Sequence, residues 1–389
     1  MIDRKRIAYF AVNPAVSGAD RPVLEAVRAV AEVDLFYDSF TLKEYFKDEL
    51  KARAHEEYHA ANSLERYGLR FYHMGDSIYF RDHYEMLISE PGVVILHDWV
   101  LHRFHLAYAA VKNDLEWYVK EAAYSHKEAG ERLARAVIAG LGSEFALNLI
   151  EMNRRVIEGS LGVIAPNGYV ERQVQARFPD KPVICIEDRG GGLDSGPPVK
   201  RDRLVISCMA DVLCNTEDIE LVVRVFKRLH DEHGDASFII FGSYPEGRIR
   251  SILRKCGAEG SVSWMGASTR EKVLDHISGS DILVHLRYPT GGAVEDVLAE
   301  ALSSGTPAVV YDYRQYALLP DKCVFKIGLR SEEGLYTALS RGLKDRTVID
   351  EMGSFAREYS SEGRASSAKD TGLAGFVERV VGSNASIRV

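Results

Sequence analysis

The sequence predicts an α/β protein of two doubly wound domains, each a parallel sheet covered by helices. Three observations carry this. At 389 residues the chain exceeds one ordinary compact core. Short apolar runs alternate with amphipathic helical stretches, and the alternation occurs twice. Between the two series, Asp188 to Asp202 contains RGGGLDSGPPVKRD, with four Gly, two Pro and no apolar periodicity, which is linker composition. The boundaries expected are 1–190, a linker at 191–202, and 203–389. The tail at 365–389 either crosses back or is loosely ordered.

The first series opens with a strand at Ile7 to Val12, a turn-rich loop at Asn13 to Asp20, a helix at Arg21 to Ala31 and a strand at Val33 to Phe36. Further strands fall at Leu69 to Tyr72, Val93 to Leu96, Gly162 to Ala165 and Val183 to Ile186. The charged segment 41–67 reads as a solvated helix, because its signs are mixed. Asp114 to Glu158 is rich in Ala, Leu, Glu and Arg and divides into two or three helices. The second series has strands at Leu204 to Cys208, Phe238 to Phe241, Val262 to Trp264, Ile282 to Leu286, Ala308 to Tyr311 and Cys323 to Lys326. Its helices are Asp218 to Glu232, Glu246 to Cys256, Arg270 to Ile277, Ala293 to Ser303 and Glu332 to Leu343. From Val348 the chain is helical, then Ser- and Ala-rich.

Composition narrows the function classes. Apolar residues make up 46% and charged residues 27%, as in ordinary globular proteins. A net charge of −8 argues against a nucleic-acid binder, whose footprint is basic. No apolar run approaches the ~20 residues that cross a bilayer, and MIDRKRIAYF has no secretory h-region. Five scattered cysteines with no Cys-x-x-Cys pair read as reduced, mostly core thiols of a cytoplasmic protein. Two doubly wound domains imply a cleft lined by the carboxyl ends of their strands, where ligands of such sheets sit.

The most informative stretch is Ser280 to Tyr311, SDILVHLRYPTGGAVEDVLAEALSSGTPAVVY. It reads as strand, glycine loop, helix, Gly-Thr-Pro stop, strand. Gly291 and Gly292 let a phosphate approach the backbone, and the helix N-terminus at Ala293 and Val294 adds N–H donors and partial positive charge. Glu295 and Asp296 are expected to point outward, away from a phosphate. Glu300 lies about 10 Å further along the helix and interrupts an apolar face of Val297, Leu298, Ala301 and Leu302. Such a carboxylate either accepts the two hydroxyls of a ribose or pairs with a basic residue on a neighbouring helix. LRYPTGG…LAEALSSGTPAVV resembles the donor-binding signature of family 4 glycosyltransferases of the GT-B fold. FIIFGSYPEG and VSWMGASTREKVLDHISGSDILVHL sit where that family has its phosphate-side loop and base-binding strand end. The resemblance covers nearly the whole C-terminal half. It implies that Glu300 binds ribose, that Gly291 to Val294 lie against the diphosphate, and that Met265 and Gly266 flank the base.

A second constellation lies in EPGVVILHDWVLHRFH, Glu90 to His105. His97 and Asp98 fall at the carboxyl end of a buried strand, where a His-Asp pair would orient a sugar hydroxyl or take a proton near neutral pH; the alternative is a histidine that caps the strand. His102 and His105 follow in the next helix, but no Cys or Glu set converges on them, so no metal is expected. YHMGDSIYF…EPGVVILHDWVLH is similar to a bacterial subgroup of family 4 enzymes of surface-polysaccharide assembly, which implies that His97 lines the reaction centre. NPAVSGADR, around Ser17 and Gly18, resembles the family's loop that closes over the donor phosphates; a small-residue βα turn reads the same way.

The pattern also departs from the family. Its usual Arg and Lys after the first strand of the second domain are replaced near Met209 or Ala210 and near Asn215 or Thr216. The first glutamate of its paired-glutamate signature falls at Gly292 or Ala293. A departing diphosphate needs preorganised positive charge, each donor being worth about 2.7–4 kcal/mol. Arg287 is the first candidate to replace it, since it ends the strand that enters the glycine loop; Arg248, Arg250, Lys200 and Arg203 are others. These residues point to a retaining glycosyltransferase taking a hexosyl group from a nucleotide-diphosphate sugar to a glycan or lipid-linked acceptor, retention being implied by the resemblance alone. Neither metal nor other cofactor is expected, and peripheral contact with the inner membrane stays open. The alternative is a catalytically impaired binding or scaffolding subunit of a glycosylation complex. An epimerase of related fold ranks below both, and a dehydrogenase lower still, because the first βα turn lacks Gly-x-Gly-x-x-Gly.

Overall fold

The computed structural model describes residues 6–11, 20–37, 52–55, 57–58, 67–143, 145–187, 203–211, 216–234, 236–266, 269–293, 295–369 and 372–385. Ser17, Gly18, Val294, Lys200 and the expected linker at 191–202 lie outside the described residues. The chain divides into two compact units. One comprises Met1–Asp188, Pro289–Val294 and Arg364–Val389; the other comprises Arg189–Tyr288 and Glu295–Gly363.

Among the described residues the first unit holds a seven-stranded sheet of β1 (Arg6–Phe10), β2 (Glu32–Tyr37), β3 (Ala52–Ala54), β4 (Leu69–Met74), β5 (Val93–Leu96), β6 (Gly162–Ala165) and β7 (Val183–Cys185), in the order β3-β2-β1-β4-β5-β6-β7. Every pairing is parallel. The order reverses between β1 and β4, so the crevice for a ligand opens there. Its helices include α1 (Asp20–Val30), α2 (Arg81–Ser89), α3 (His102–Lys112), α4 (Leu115–Ala136), α5 (Arg154–Gly159) and α6 (Gly168–Arg177). The long helical region divides as expected, with α4 itself kinked where His126 and Lys127 leave helical geometry. Of the segment 41–67, expected to be a solvated helix, only 52–55, 57–58 and 67 are described; Ala52–Ala54 form β3, which pairs with Leu35–Tyr37 at the sheet edge, and the rest of the segment lies outside the described residues.

The second unit holds β8 (Val205–Met209), β9 (Ser237–Phe241), β10 (Val262–Trp264), β11 (Ile282–His285), β12 (Ala308–Tyr311) and β13 (Val324–Ile327), ordered β10-β9-β8-β11-β12-β13. These strands are also all parallel, with the switch point between β8 and β11. Helices α7 (Thr216–His233), α8 (Glu246–Lys255), α9 (Arg270–Ser278), α10 (Asp296–Ser304), α11 (Glu332–Lys344) and α12 (Arg346–Lys369) accompany it. The two-sheet, doubly wound fold class read from the sequence therefore holds.

Burial explains why the strands were legible. β5, β6, β11 and β12 are buried at every position, as parallel strands covered on both faces must be. α10 ends in a Schellman motif: Gly305, at φ 83°, donates to Leu302, and Thr306 donates to Ala301 at 2.8 Å. The last helix, α13 (Leu373–Ala385), belongs to the first unit, where Leu373, Phe376 and Val380 join Ile7, Tyr9 and Phe71 in one core. Gly162 of β6 has no room for a side chain, because a Cβ there would lie 2.9 Å from both Phe376 and Val380.

Candidate functional site

Polar side chains gather at the switch point of each sheet. In the first unit, His97 and Asp98 leave the end of β5, and the His97 N–H donates to Met74 at 2.8 Å. The loop Pro289–Val294 is part of this unit. Trp99 and Val100 both donate backbone N–H bonds to the Gly291 carbonyl, at 2.8 and 3.1 Å, and Asn167 Nδ2 donates to the Gly292 carbonyl at 3.0 Å. Gly292 has φ 89°, a conformation that calls for glycine, and a Cβ on it would crowd Trp99 Cβ at 3.0 Å. A Cβ on Gly291 would lie 3.3 Å from Asp98 Oδ1. The structure thus brings together the two motifs read separately in the sequence.

His97 is bound into a group that sequence reasoning missed. Its Nε2 lies 2.6 Å from Nδ1 of His73, whose Nε2 lies 3.0 Å from the Tyr9 hydroxyl. Phe80 packs its ring along His97 at 5.6 Å between centroids. Asp98 Oδ2 accepts from the Asp76 backbone N–H at 2.8 Å. Asp76 in turn accepts from the Phe104 N–H and from Arg103 Nη1, both at 2.9 Å, and so anchors the first turn of α3. Burial, with Asp98 close by, pushes the Asp76 carboxyl up to about 7. His102 and His105 are core residues instead. Both are fully buried, and burial lowers them to about 4 and about 3, so each is neutral; His102 Nε2 pairs with the Tyr118 hydroxyl. Among the described residues no group of three or more His, Cys, Asp or Glu side chains is assembled to hold a metal.

In the second unit, Arg287 follows β11 and Asp211 follows β8, across the switch point. Arg287 donates from Nη1 and Nη2 to the two Asp211 oxygens at 2.9 and 2.5 Å, and from Nε to Glu295 Oε2 at 3.0 Å. Glu295 also accepts from the Tyr316 hydroxyl at 2.9 Å and lies 2.9 Å from His285 Nε2. The expectation that Glu295 points outward is corrected. α10 begins at Asp296 rather than Ala293, so Glu295 occupies the N-cap position with its side chain turned toward Arg287. Burial opposes its ionisation, but Arg287 and His285 more than offset this, holding the carboxyl well below the usual range. One guanidinium therefore stands between two carboxylates, where sequence reasoning looked for a cation available to a diphosphate. Glu295 is eight positions from Arg287, but nothing local signalled Asp211, which lies 76 positions away.

Glu300 sits on the buried face of α10, 6% exposed, beside Leu298, Ala301 and Leu302. Ala293 precedes that helix rather than starting it. Met265 and Gly266 follow β10, Met265 being 46% exposed and Gly266 having φ 57°. The Gly266 carbonyl accepts from the Gly242 N–H at 3.2 Å, which ties this strand end to the FIIFGSYPEG loop. A cavity of about 370 Å³ opens beside Met265, lined also by Arg250, Leu253, Glu259 and Trp264.

Residues 196–318 match the family described as glycosyl transferases group 1. The matched stretch runs from β8 through β12 and includes Arg287, Gly291, Gly292 and Glu300. No curated protein matches the sequence. Among solved structures, a sucrose-phosphate synthase from Thermosynechococcus elongatus is similar at a TM-score of 0.59 and 14% identity, covering 99% of this chain and 98% of that one. Anabaena Alr3699/HepE, solved in complex with UDP and glucose, gives 0.56 and 13%, covering 93% of this chain and 96% of that one. A putative UDP-N-acetylglucosamine 2-epimerase from Listeria monocytogenes gives 0.56 and 11%, covering 94% of each chain. These likenesses establish the GT-B fold. They do not choose among its activities, since an epimerase shares it.

Proposed function

We propose that this protein is a retaining glycosyltransferase that moves a hexosyl group from a nucleotide-diphosphate sugar to a glycan or lipid-linked acceptor. The observation that carries the reading is the glycosyl transferase group 1 match over 196–318, which contains the glycine loop and the buried Glu300 of α10. Glu300 accepts the ribose hydroxyls, Gly291 to Val294 meet the diphosphate, and Met265 with Gly266 flank the base. His97 and Asp98 orient the reacting sugar. Backbone donors and the dipole of α10 stand in for a metal. An acceptor carried on a lipid would bring the protein to the inner face of a membrane; among the described residues no helix is long and apolar enough to cross one.

Two charge-assisted bonds to a ribose are worth roughly 1.5–3 kcal/mol each. Glu300→Gln is therefore expected to weaken nucleotide-diphosphate binding by at least about tenfold. The test is a panel of nucleoside diphosphates and nucleotide sugars followed by thermal shift and by sugar release, with and without glycan acceptors. If no nucleotide diphosphate raises the melting temperature at millimolar concentration, the proposal fails.

The Arg287 cluster favours a second reading, a binding or scaffolding subunit of a glycosylation complex. A cation already shared by Asp211 and Glu295 offers little charge to a leaving diphosphate. Donor binding without turnover in the same panel selects this reading over the first.

A further inference from the structure

At the switch point of the first sheet, strand register lines up a hydrogen-bonded chain of three side chains. Tyr9 of β1 is paired with Phe71 of β4, and His73 of β4 with Ile95 of β5. Side chains two positions apart share a face, so Tyr9, His73 and His97 project from the same side of three adjacent strands. Tyr9 and His73 are fully buried, while His97 is half-buried at the strand end. The contacts are close: Tyr9 Oη to His73 Nε2 at 3.0 Å, and His73 Nδ1 to His97 Nε2 at 2.6 Å. The rings of His73 and His97 are within 17° of parallel, with centroids 4.9 Å apart.

A neutral imidazole carries one N–H and one acceptor nitrogen, so each link fixes the next. A phenol is a better proton donor to an imidazole nitrogen than an imidazole N–H is to a phenol oxygen. With Tyr9 donating to His73 Nε2, His73 must carry its proton on Nδ1 and donate to His97 Nε2. His97 then holds its own proton on Nδ1, the less common tautomer of a free histidine. We propose that Tyr9 and His73 are positioning residues that hold His97 in the Nδ1–H form, which makes that ring nitrogen a hydrogen-bond donor. No net proton transfer is required; the chain only sets donor polarity. His83 faces the same group from α2 with Nδ1 3.1 Å from the His73 carbonyl, an arrangement that suits a neutral ring donating to that oxygen. Phe80 covers His97, and Asp98, next in the chain, is turned to the Asp76 N–H.

What His97 does with its donor rests on the glycosyltransferase reading; the tautomer does not. The test uses the full chain labelled with ¹⁵N-histidine. Imidazole nitrogen resonances are assigned with His97→Gln and compared among wild type, Tyr9→Phe and His73→Gln at neutral pH, with melting temperatures checking that each variant is folded. The expected result is Nδ1–H at His97 in the wild type. In Tyr9→Phe, His73 is released to carry its proton on Nε2, and His97 reverts wholly or partly to Nε2–H. A wild-type His97 in the Nε2–H form, or a signature unchanged in Tyr9→Phe, overturns the proposal. Should Tyr9→Phe not fold, His73→Gln still decides it: an unchanged His97 signature there also overturns the proposal. Where the protein turns over a nucleotide sugar, Tyr9→Phe should lower kcat about tenfold with KM nearly constant. Absence of any turnover bears on the function proposed above and leaves the nitrogen signature readable.

Discussion

Replacing Arg287 with alanine tests the reading of the second unit's polar cluster. The guanidinium makes three bonds to two carboxylates, at 2.9, 2.5 and 3.0 Å. Its side chain is only 10% exposed, against 14% for Asp211 and 22% for Glu295. Removing it strands two acids in a poorly hydrated place, and breaking a buried pair in this way costs about 3–5 kcal/mol. In a domain of this size each kcal/mol shifts the midpoint by roughly 2–4 °C, so a fall of about 6–20 °C is expected at neutral pH. The acid arm gives a second handle. Glu295 ionises well below its unfolded value, so its stabilisation is complete above the ordinary glutamate pKa and is lost as pH falls toward the folded one. Without Arg287 that acid-side loss should shrink. Urea unfolding of both proteins at neutral and acid pH measures both effects. A variant within about 1 kcal/mol of wild type at neutral pH, with an unchanged acid slope, would show that the cluster is solvated and that Arg287 is available to a ligand after all.

Three further outcomes are expected. Phe376→Ala, at a fully buried position of α13, should cost about 3–5 kcal/mol by urea unfolding; a loss below about 1 kcal/mol would mean that α13 is only loosely docked. Gly242→Ala should cost more than about 2 kcal/mol, because φ is 127° and the new Cβ would sit 2.2 Å from the Ala210 carbonyl oxygen; wild-type stability would contradict that geometry. For Asp76, a folded carboxyl at about 7 means the native state holds its proton more tightly than the unfolded chain does. Wild-type stability should therefore fall relative to Asp76→Asn as pH rises from about 4 to about 7, and parallel melting curves across that range would refute the shift.

Strands buried at every position announced themselves. Val93–Leu96, Gly162–Ala165 and Ala308–Tyr311 are short continuous apolar runs that few other structures accommodate. β3 did not, because Ala-Arg-Ala at a sheet edge carries no apolar period and is held by backbone pairing to β2. The start of α10 was misplaced because Glu295 looks like a first-turn acid of a helix. Only its contacts with Arg287, His285 and Tyr316, which no spacing predicts, reveal it as a cap turned inward. The same limit applied to His97: its strand-end position could be read, but His73 and Tyr9 come from other strands, 24 and 88 positions away in the chain, and only pairing register brings them to it. Motif spacing reports what lies within one turn and its flanking elements; charge balance at a switch point depends on strands far apart in sequence.

The docking of α13 has a consequence for biosynthesis. The apolar surface that Phe376 and Val380 cover on β6 is made early by the ribosome, whereas its cover emerges only after every strand of the other sheet has been translated. A nascent chain therefore carries an uncovered greasy face throughout that interval, a species prone to self-association. Late truncations should act at this stage and lower the yield of soluble protein.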